Sequence, residues 1–387
     1  MTLKLLIVTE GYPWGQNVAG IFHRDQFKLL ADAGLDVTIV APMPWVPSFL
    51  AGRSAKWRAY AHSPVSQTEG TLKIIRPRYF ALPRENARFV PDLTRYLAVR
   101  NLALPKPDVI QAYFALPTGN AARLLARNWK VPYAVGMLGD DVNIYPFHNS
   151  RNRRLLKRVI ADAGYAFANG PTLAAKATEI TSLPVPWLSI GAAESRFANQ
   201  PERSEARSRL GWPLDRKIAL YVGAVTPTKG IGDLIAALPH LPAGNILTVA
   251  IGDGPLREAL AQSPDTLCMG AQPADAVAMA MTAADLLVHP SHYEGLPTVL
   301  VEAAFAQLPI VTTTAPGCID LARDGRALAV PVGDPARLAA AMMETTSDPG
   351  AARSRVALML SHVREHYDLH KNADTLIGHY RRLAGGT

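Results

Sequence analysis

At 387 residues, 49% apolar and 19% charged, the chain is long enough for two ordinary domains and is neither disordered nor fibrous in composition. The longest apolar candidate, VTIVAPMPWVPSFLA, is too short to span a bilayer and is broken by prolines. Only two cysteines occur, Cys268 and Cys318, without metal-ligand spacing, so free thiols in a reducing cytoplasm are expected. The net charge of +8 lies in the front half: residues 1–190 hold 23 Lys/Arg against 12 Asp/Glu, whereas residues 191–387 hold 17 against 20. That half is expected to meet something negative, an anionic membrane surface or a phosphorylated substrate. The aromatic-basic alternation of a nucleic-acid binder is absent.

The N-terminus, MTLKLLIVTEGYPW, lacks a secretory pattern and begins a strand at once. The stretch LKLLIVTEGYPWGQNVAGIFHRDQFKLLADAGLDVTIVAP reads as strand, Gly-containing loop, helix and strand. The strands LKIIRPRY, PDVIQAYF and PYAVGML follow, with helix GNAARLLARNW between the last two. Next comes RNRRLLKRVI, predicted as a helix with Arg154 and Arg158 on one face and Leu155, Leu156 and Val159 on another. Pro and Gly punctuate PVPWLSIGAAESRF, which marks a domain joint. KIALYVGAVTPTKGIGDLIAALPHLPAGNILTVAIGDGP then repeats the strand, Gly-loop, helix, strand opening. DTLCMG, AADLLVHPS, LPIVTTT and ALAVPV continue the strands of this second half.

Two such openings in one chain predict an α/β protein of two tandem Rossmann-like, doubly wound domains. The expected division is residues 1–190, residues 191–370, and a last helix from 371 to 387. In such domains ligands bind beyond the carboxyl ends of the strands, so the site is expected in a cleft between the halves.

The loops narrow the chemistry. In VGAVTPTKGIGDL, Gly223 follows a strand and Lys229-Gly230 precedes a helix, a place where backbone amides and a cation attract phosphate. The Walker order is missing, and IGDGPLREAL lacks the third glycine of a dinucleotide fingerprint, which speaks against a P-loop ATPase and an NAD-dependent dehydrogenase. No Asp-x-Asp pair and no His/Glu cluster offers ligands to a divalent ion, so no metal is expected and positive charge must come from side chains and helix N-termini. In SHYEGLPTVLVEAAFAQLPIV, Glu294 and Glu302 are separated by seven residues, and Glu302 sits on a short helix that is otherwise apolar. Such a carboxylate needs donors. A structural Lys or Arg is one source; ligand hydroxyls are the other.

The set VGAVTPTKG, IGDGP, HPSHYEGLPTVLVEAAFAQLPIV and APGCIDLARDGRALAVPVGD, in this order, resembles the donor domain of the family 4 glycosyltransferases. GYPWGQNVAGIFHRDQFKLLADAGLDVTIVAP, PDVIQAYFALPTG and GMLGDDVNIY are similar to the front domain of members that build polysaccharides. The resemblance implies a GT-B fold and a retaining, metal-independent transfer of a hexosyl unit. The donor would be a nucleoside diphosphate sugar, UDP-linked in preference to GDP-linked, and the acceptor a glycan or lipid-linked hydroxyl.

By the same resemblance, Lys229, Glu294 and Asp141 are expected at the chemistry. Glu302 is expected on the ribose, and Gly223, Gly295, Leu296, Pro297, Thr298, Met269, Gly270 and Gly20 elsewhere around the donor. Gln111, Tyr113 and Asp140 are expected to meet the acceptor. Three positions depart from the family's usual pattern. Ala224 replaces an arginine after Gly223, Leu138 replaces a histidine before Gly139, and Gln111-Ala112-Tyr113 replaces His-x-His. They keep open a catalytically altered sugar-nucleotide-binding protein or an epimerase of the same architecture. The basic loops GRSAKWRAYAH and RYFALPRENARF suggest a cytoplasmic protein peripheral to the inner face of the membrane.

Overall fold

The structure, a computed structural model, describes residues 2–14, 21–79 and 91–385. Its contacts divide the chain into two compact units, residues 1–190 together with 369–387, and residues 191–368.

The strands of the first unit are β1 (Lys4–Val8), β2 (Asp36–Val40), β3 (Met43–Pro44), β4 (Ser66–Glu69), β5 (Leu72–Ile75), β6 (Arg78–Tyr79), β7 (Val109–Tyr113), β8 (Tyr133–Met137) and β9 (Tyr165–Ala168). Seven of them form one sheet in the order β4-β5-β2-β1-β7-β8-β9, parallel except for the β4–β5 pair. Leu5, Leu6, Ile7 and Val8 of β1 are all buried, as a strand covered on both faces requires. LKIIRPRY, read as one strand, is two. Pro77 cannot donate to a ladder, and the chain leaves the main sheet there to pair β6 with β3. The polar edge strand β4, SQTE, carries no apolar signal and was not predicted.

The helix Ser150–Ala161 buries Leu156, Val159 and Ile160 and keeps Arg154 and Arg158 exposed; the Asn149 side chain caps it by accepting from the Asn152 N–H at 2.8 Å. The last helix, Leu369–Gly385, buries Leu376, Ile377 and Tyr380 within this same unit. Asn372 Nδ2 donates to the Ser189 carbonyl at 3.0 Å.

The second unit contains β10 (Lys217–Val222), β11 (Ile246–Ile251), β12 (Thr266–Gly270), β13 (Leu286–His289), β14 (Ile310–Thr313) and β15 (Leu328–Val330). All are parallel, in the order β12-β11-β10-β13-β14-β15. The chain works outward from β10 to one edge and then returns to lay β13 on the other side of β10. This reversal opens a crevice at the carboxyl ends of β10 and β13, where the loops that follow them diverge. Each unit is therefore the doubly wound α/β architecture that the alternating pattern predicted. Among the described residues, no helix is long and apolar enough to cross a membrane.

Candidate active site

The loop after β10 and the loop after β13 meet at the reversal point of the second sheet. Pro227–Lys229 forms a single 3-10 turn closed by Gly230 at φ 70°. A Cβ at Gly230 would lie 1.8 Å from the Pro290 carbonyl oxygen, so only glycine lets the two backbones touch. The His292 N–H donates to the Thr228 carbonyl at 3.0 Å, and Thr313 Oγ1 donates to the Ser291 carbonyl at 2.5 Å. These bonds hold Lys229 and Glu294 in reach of each other, and Lys229 Nζ donates to Glu294 Oε1 at 2.6 Å.

The same oxygen is 2.9 Å from His289 Nε2, at the end of β13. Glu294 is 8% exposed and His289 3%. Burial alone would raise the Glu294 carboxyl, but the hydrogen bonds and charges of His289 and Lys229 outweigh it and hold the group at about 2. His289 was not singled out in the sequence. Its signal was there, a histidine ending a buried strand five residues before Glu294, but nothing local distinguishes it from an ordinary core histidine.

The helix Thr298–Phe305 begins beside this cluster, with Pro297 at the N-cap and no side chain capping its first amides. Those N–H groups are a ready anion site at the end of an aligned run of peptide dipoles. Gly295 and Thr298 are half-buried, while Leu296 and Pro297 are buried. The glycine loops pack onto one another: a Cβ at Gly252 would lie 1.8 Å from the Gly223 carbonyl oxygen. Gly223 follows β10 and Gly270 ends β12, and the half-buried Met269 accepts from Gln272 Nε2 at 2.8 Å through its carbonyl.

Glu302 departs from expectation. Its carboxylate does not lack a donor: Arg196 Nη1, from the short turn Glu194–Phe197, donates to Oε1 at 3.1 Å. Nor is it sealed off, since the two side chains are 22% and 21% exposed. Of the two sources of donors left open by the sequence, the structure supplies the arginine. Arg196 precedes Glu302 by more than a hundred residues, and no local signal could have named it.

The first unit corrects more of the reading. Gln111 and Tyr113, expected at the acceptor, are fully buried. Gln111 accepts from the Tyr380 hydroxyl at 2.9 Å and donates to the Ala112 carbonyl at 2.6 Å. Tyr113 donates to Gln26 Oε1 at 2.5 Å, with its ring against His23 and Phe27. Both side chains are buried against protein, away from a substrate in solvent. Asp141 is also fully buried. Oδ1 accepts from the Leu138 and Gly139 amides at 3.1 and 2.9 Å, and Oδ2 from the Ala115 amide at 2.6 Å. Burial raises its carboxyl to about 6 against the opposing pull of those amides. This geometry ties the loop after β8 to the loop after β7 rather than aiming a base at a substrate. Asp140 beside it is exposed. Gly20 lies outside the described residues.

Residues 202–358 match the model of the glycosyl transferases group 1, and residues 20–191 that of the glycosyl transferase 4-like domain. The chain is similar to a Bacillus subtilis protein assigned to teichuronic acid biosynthesis as the glycosyltransferase TuaC, at 32% identity over 82% of this chain and 83% of that one. In fold it is similar to sucrose-phosphate synthase of Thermosynechococcus elongatus (TM-score 0.78, 20% identity, all of both chains covered). It is also similar to HepE of Anabaena, solved in complex with UDP-glucose (TM-score 0.70, 17% identity, 97% and 100% covered).

Proposed function

This chain belongs to the family 4-like, group 1 glycosyltransferases, and from that premise we propose that it is a retaining, metal-independent hexosyltransferase of cell-surface polysaccharide synthesis. The observation that carries this reading is the convergence of Lys229 and Glu294 beside the uncapped start of the Thr298–Phe305 helix. A cation, a carboxylate and a helix N-terminus at one sheet-reversal point suit a sugar diphosphate. The helix amides and Lys229 stabilise the charge that develops on the departing phosphate, and Glu294 accepts from hydroxyls of the sugar. A front-face displacement is the step proposed. In it the sugar–phosphate bond breaks, the acceptor oxygen bonds to the same face of the sugar, and the leaving β-phosphate oxygen takes the acceptor's proton.

In this reading the loop Gly295–Thr298 lines the sugar and Met269–Gly270 the base. Glu302 exchanges Arg196 for the ribose hydroxyls when the donor enters. A partly exposed ion pair is worth only about 0–1 kcal/mol, so the exchange costs little. UDP-sugars are favoured, in line with the ligand of the HepE complex, and the TuaC likeness favours a glycan or lipid-linked acceptor.

Peripheral contact with an anionic membrane belongs to the same proposal. Trp45 and Phe49 are 53% and 80% exposed on the approach to the Ala55–His62 helix, near Arg53 and Arg58. Exposed aromatics among cations suit a headgroup interface. Flotation with anionic and with neutral liposomes tests it; indifference to lipid charge refutes it.

The donor reading is tested by thermal shift and nucleoside diphosphate release with UDP-, GDP- and ADP-glucose. A donor at a hundred times its Kd stabilises by about 2.7 kcal/mol. Absence of any shift with all three refutes it.

A further inference from the structure

The Lys229–Glu294 pair poses a difficulty for the reaction proposed above, on which this inference rests. Lys229 Nζ lies 2.6 Å from Glu294 Oε1. When a diphosphate draws that cation away, a carboxylate only 8% exposed loses its nearest positive charge. Buried carboxylates without a partner take up a proton, and a protonated Glu294 would be a poorer acceptor for a sugar hydroxyl.

His289 answers the difficulty. Its Nε2 lies 2.9 Å from the same Oε1. Its ring is held in place: Tyr221 stacks on it at 6.4 Å and 9°, and its own carbonyl accepts from Thr312 Oγ1 at 2.9 Å. Nδ1 is buried and, among the described residues, has no hydrogen-bond partner. A proton there would be an orphan donor, whereas an unpartnered lone pair is the lesser cost. The ring proton that can be satisfied is therefore the one on Nε2, which donates to Glu294 Oε1. Lys229 and His289 both address Oε1, which leaves Oε2 for a ligand.

We propose that His289 is a positioning residue: its Nε2–H anchors Glu294 Oε1, keeps the carboxylate ionised while Lys229 turns to the leaving phosphate, and presents Oε2 to the donor sugar. The other titratable groups facing Glu294 do not compete for this role. The Tyr221 hydroxyl donates to the Ala224 carbonyl at 2.7 Å and is held protonated by burial and by Glu294. The Cys318 thiol is pushed up to about 12 by burial and by the same carboxylate.

Two measurements test the proposal. In ligand-free protein with ¹⁵N-labelled imidazoles, the two-bond ¹H–¹⁵N pattern of His289, assigned by its loss in His289→Gln, should show a proton on Nε2. A ring protonated on Nδ1 and bare at Nε2 overturns the proposal, whether or not any donor is turned over. With UDP-glucose as donor, the acidic limb of kcat should move up by about one pH unit in His289→Ala and return in His289→Gln, whose amide N–H reaches the same place. Equal losses in both variants with an unmoved limb refute the positioning role. If the wild type neither binds nor consumes UDP-glucose, that donor reading fails, and the tautomer alone decides for or against His289.

Discussion

The pair Arg196–Glu302 yields the sharpest test of how the donor is held. Arg196 Nη1 meets Glu302 Oε1 at 3.1 Å, and both side chains are about one fifth exposed. Such a pair stabilises the fold by at most about 1 kcal/mol. Two hydroxyls of a bound ribose, donating to an ionised carboxylate, are worth about 1.5–3 kcal/mol. Glu302→Gln should therefore weaken UDP-glucose binding about 10- to 150-fold while lowering the free energy of unfolding by no more than about 1 kcal/mol. Arg196→Ala should cost the same small stability but leave binding unchanged or tighten it by up to about fivefold, because the competing partner is gone. Isothermal titration with UDP-glucose, beside urea unfolding of each variant, separates the two quantities. The reasoning fails if Glu302→Gln binds within about twofold of wild type, or if both variants lose affinity equally. Glu302 would then be a structural ion-pair partner and nothing more.

Removing the cation in Lys229→Ala should lower turnover by about 10²–10³-fold, the usual consequence of deleting one group that stabilises transition-state charge; a variant within about twofold of wild type removes Lys229 from the mechanism. Glu294, held at about 2 against an ordinary value of 4.5, contributes stability that is fully present above about pH 4.5 and is lost as pH falls through about 2. Acid unfolding of Glu294→Gln should accordingly show a shallower dependence over that window, and identical curves would contradict the pairing. Tyr380→Phe leaves Gln111 Oε1 without its donor inside the first unit and should cost about 1–2 kcal/mol in urea unfolding; no measurable loss would mean the last helix does not dock through that bond.

Much of the architecture was readable in one dimension. Buried parallel strands are short continuous apolar runs, Gly loops must follow them, and the helices between them carry their own amphipathic period; all three are local. Glu-x7-Glu and the Lys229 loop were legible for the same reason, because each lies within a single strand-end segment. The doubly wound order itself followed from the alternation, since parallel neighbours require crossovers.

What the chain could not announce were partnerships made across the sheet. Lys229 and Glu294 are 65 residues apart and touch only because β13 lies next to β10. Arg196 comes from outside the sheet altogether, and its approach turns a carboxylate that seemed to want a ligand into one already paired. Gln111 and Tyr113 stand at the end of a strand, where a substrate contact was expected. Tyr380 from the last helix and Gln26 from an early one close over them instead. Burial and hydrogen-bond satisfaction are properties of the packed layers. Residue types at given spacings supply the groups, and only the order of the strands and the docking of the helices decide which of those groups meet each other and which remain open to a substrate.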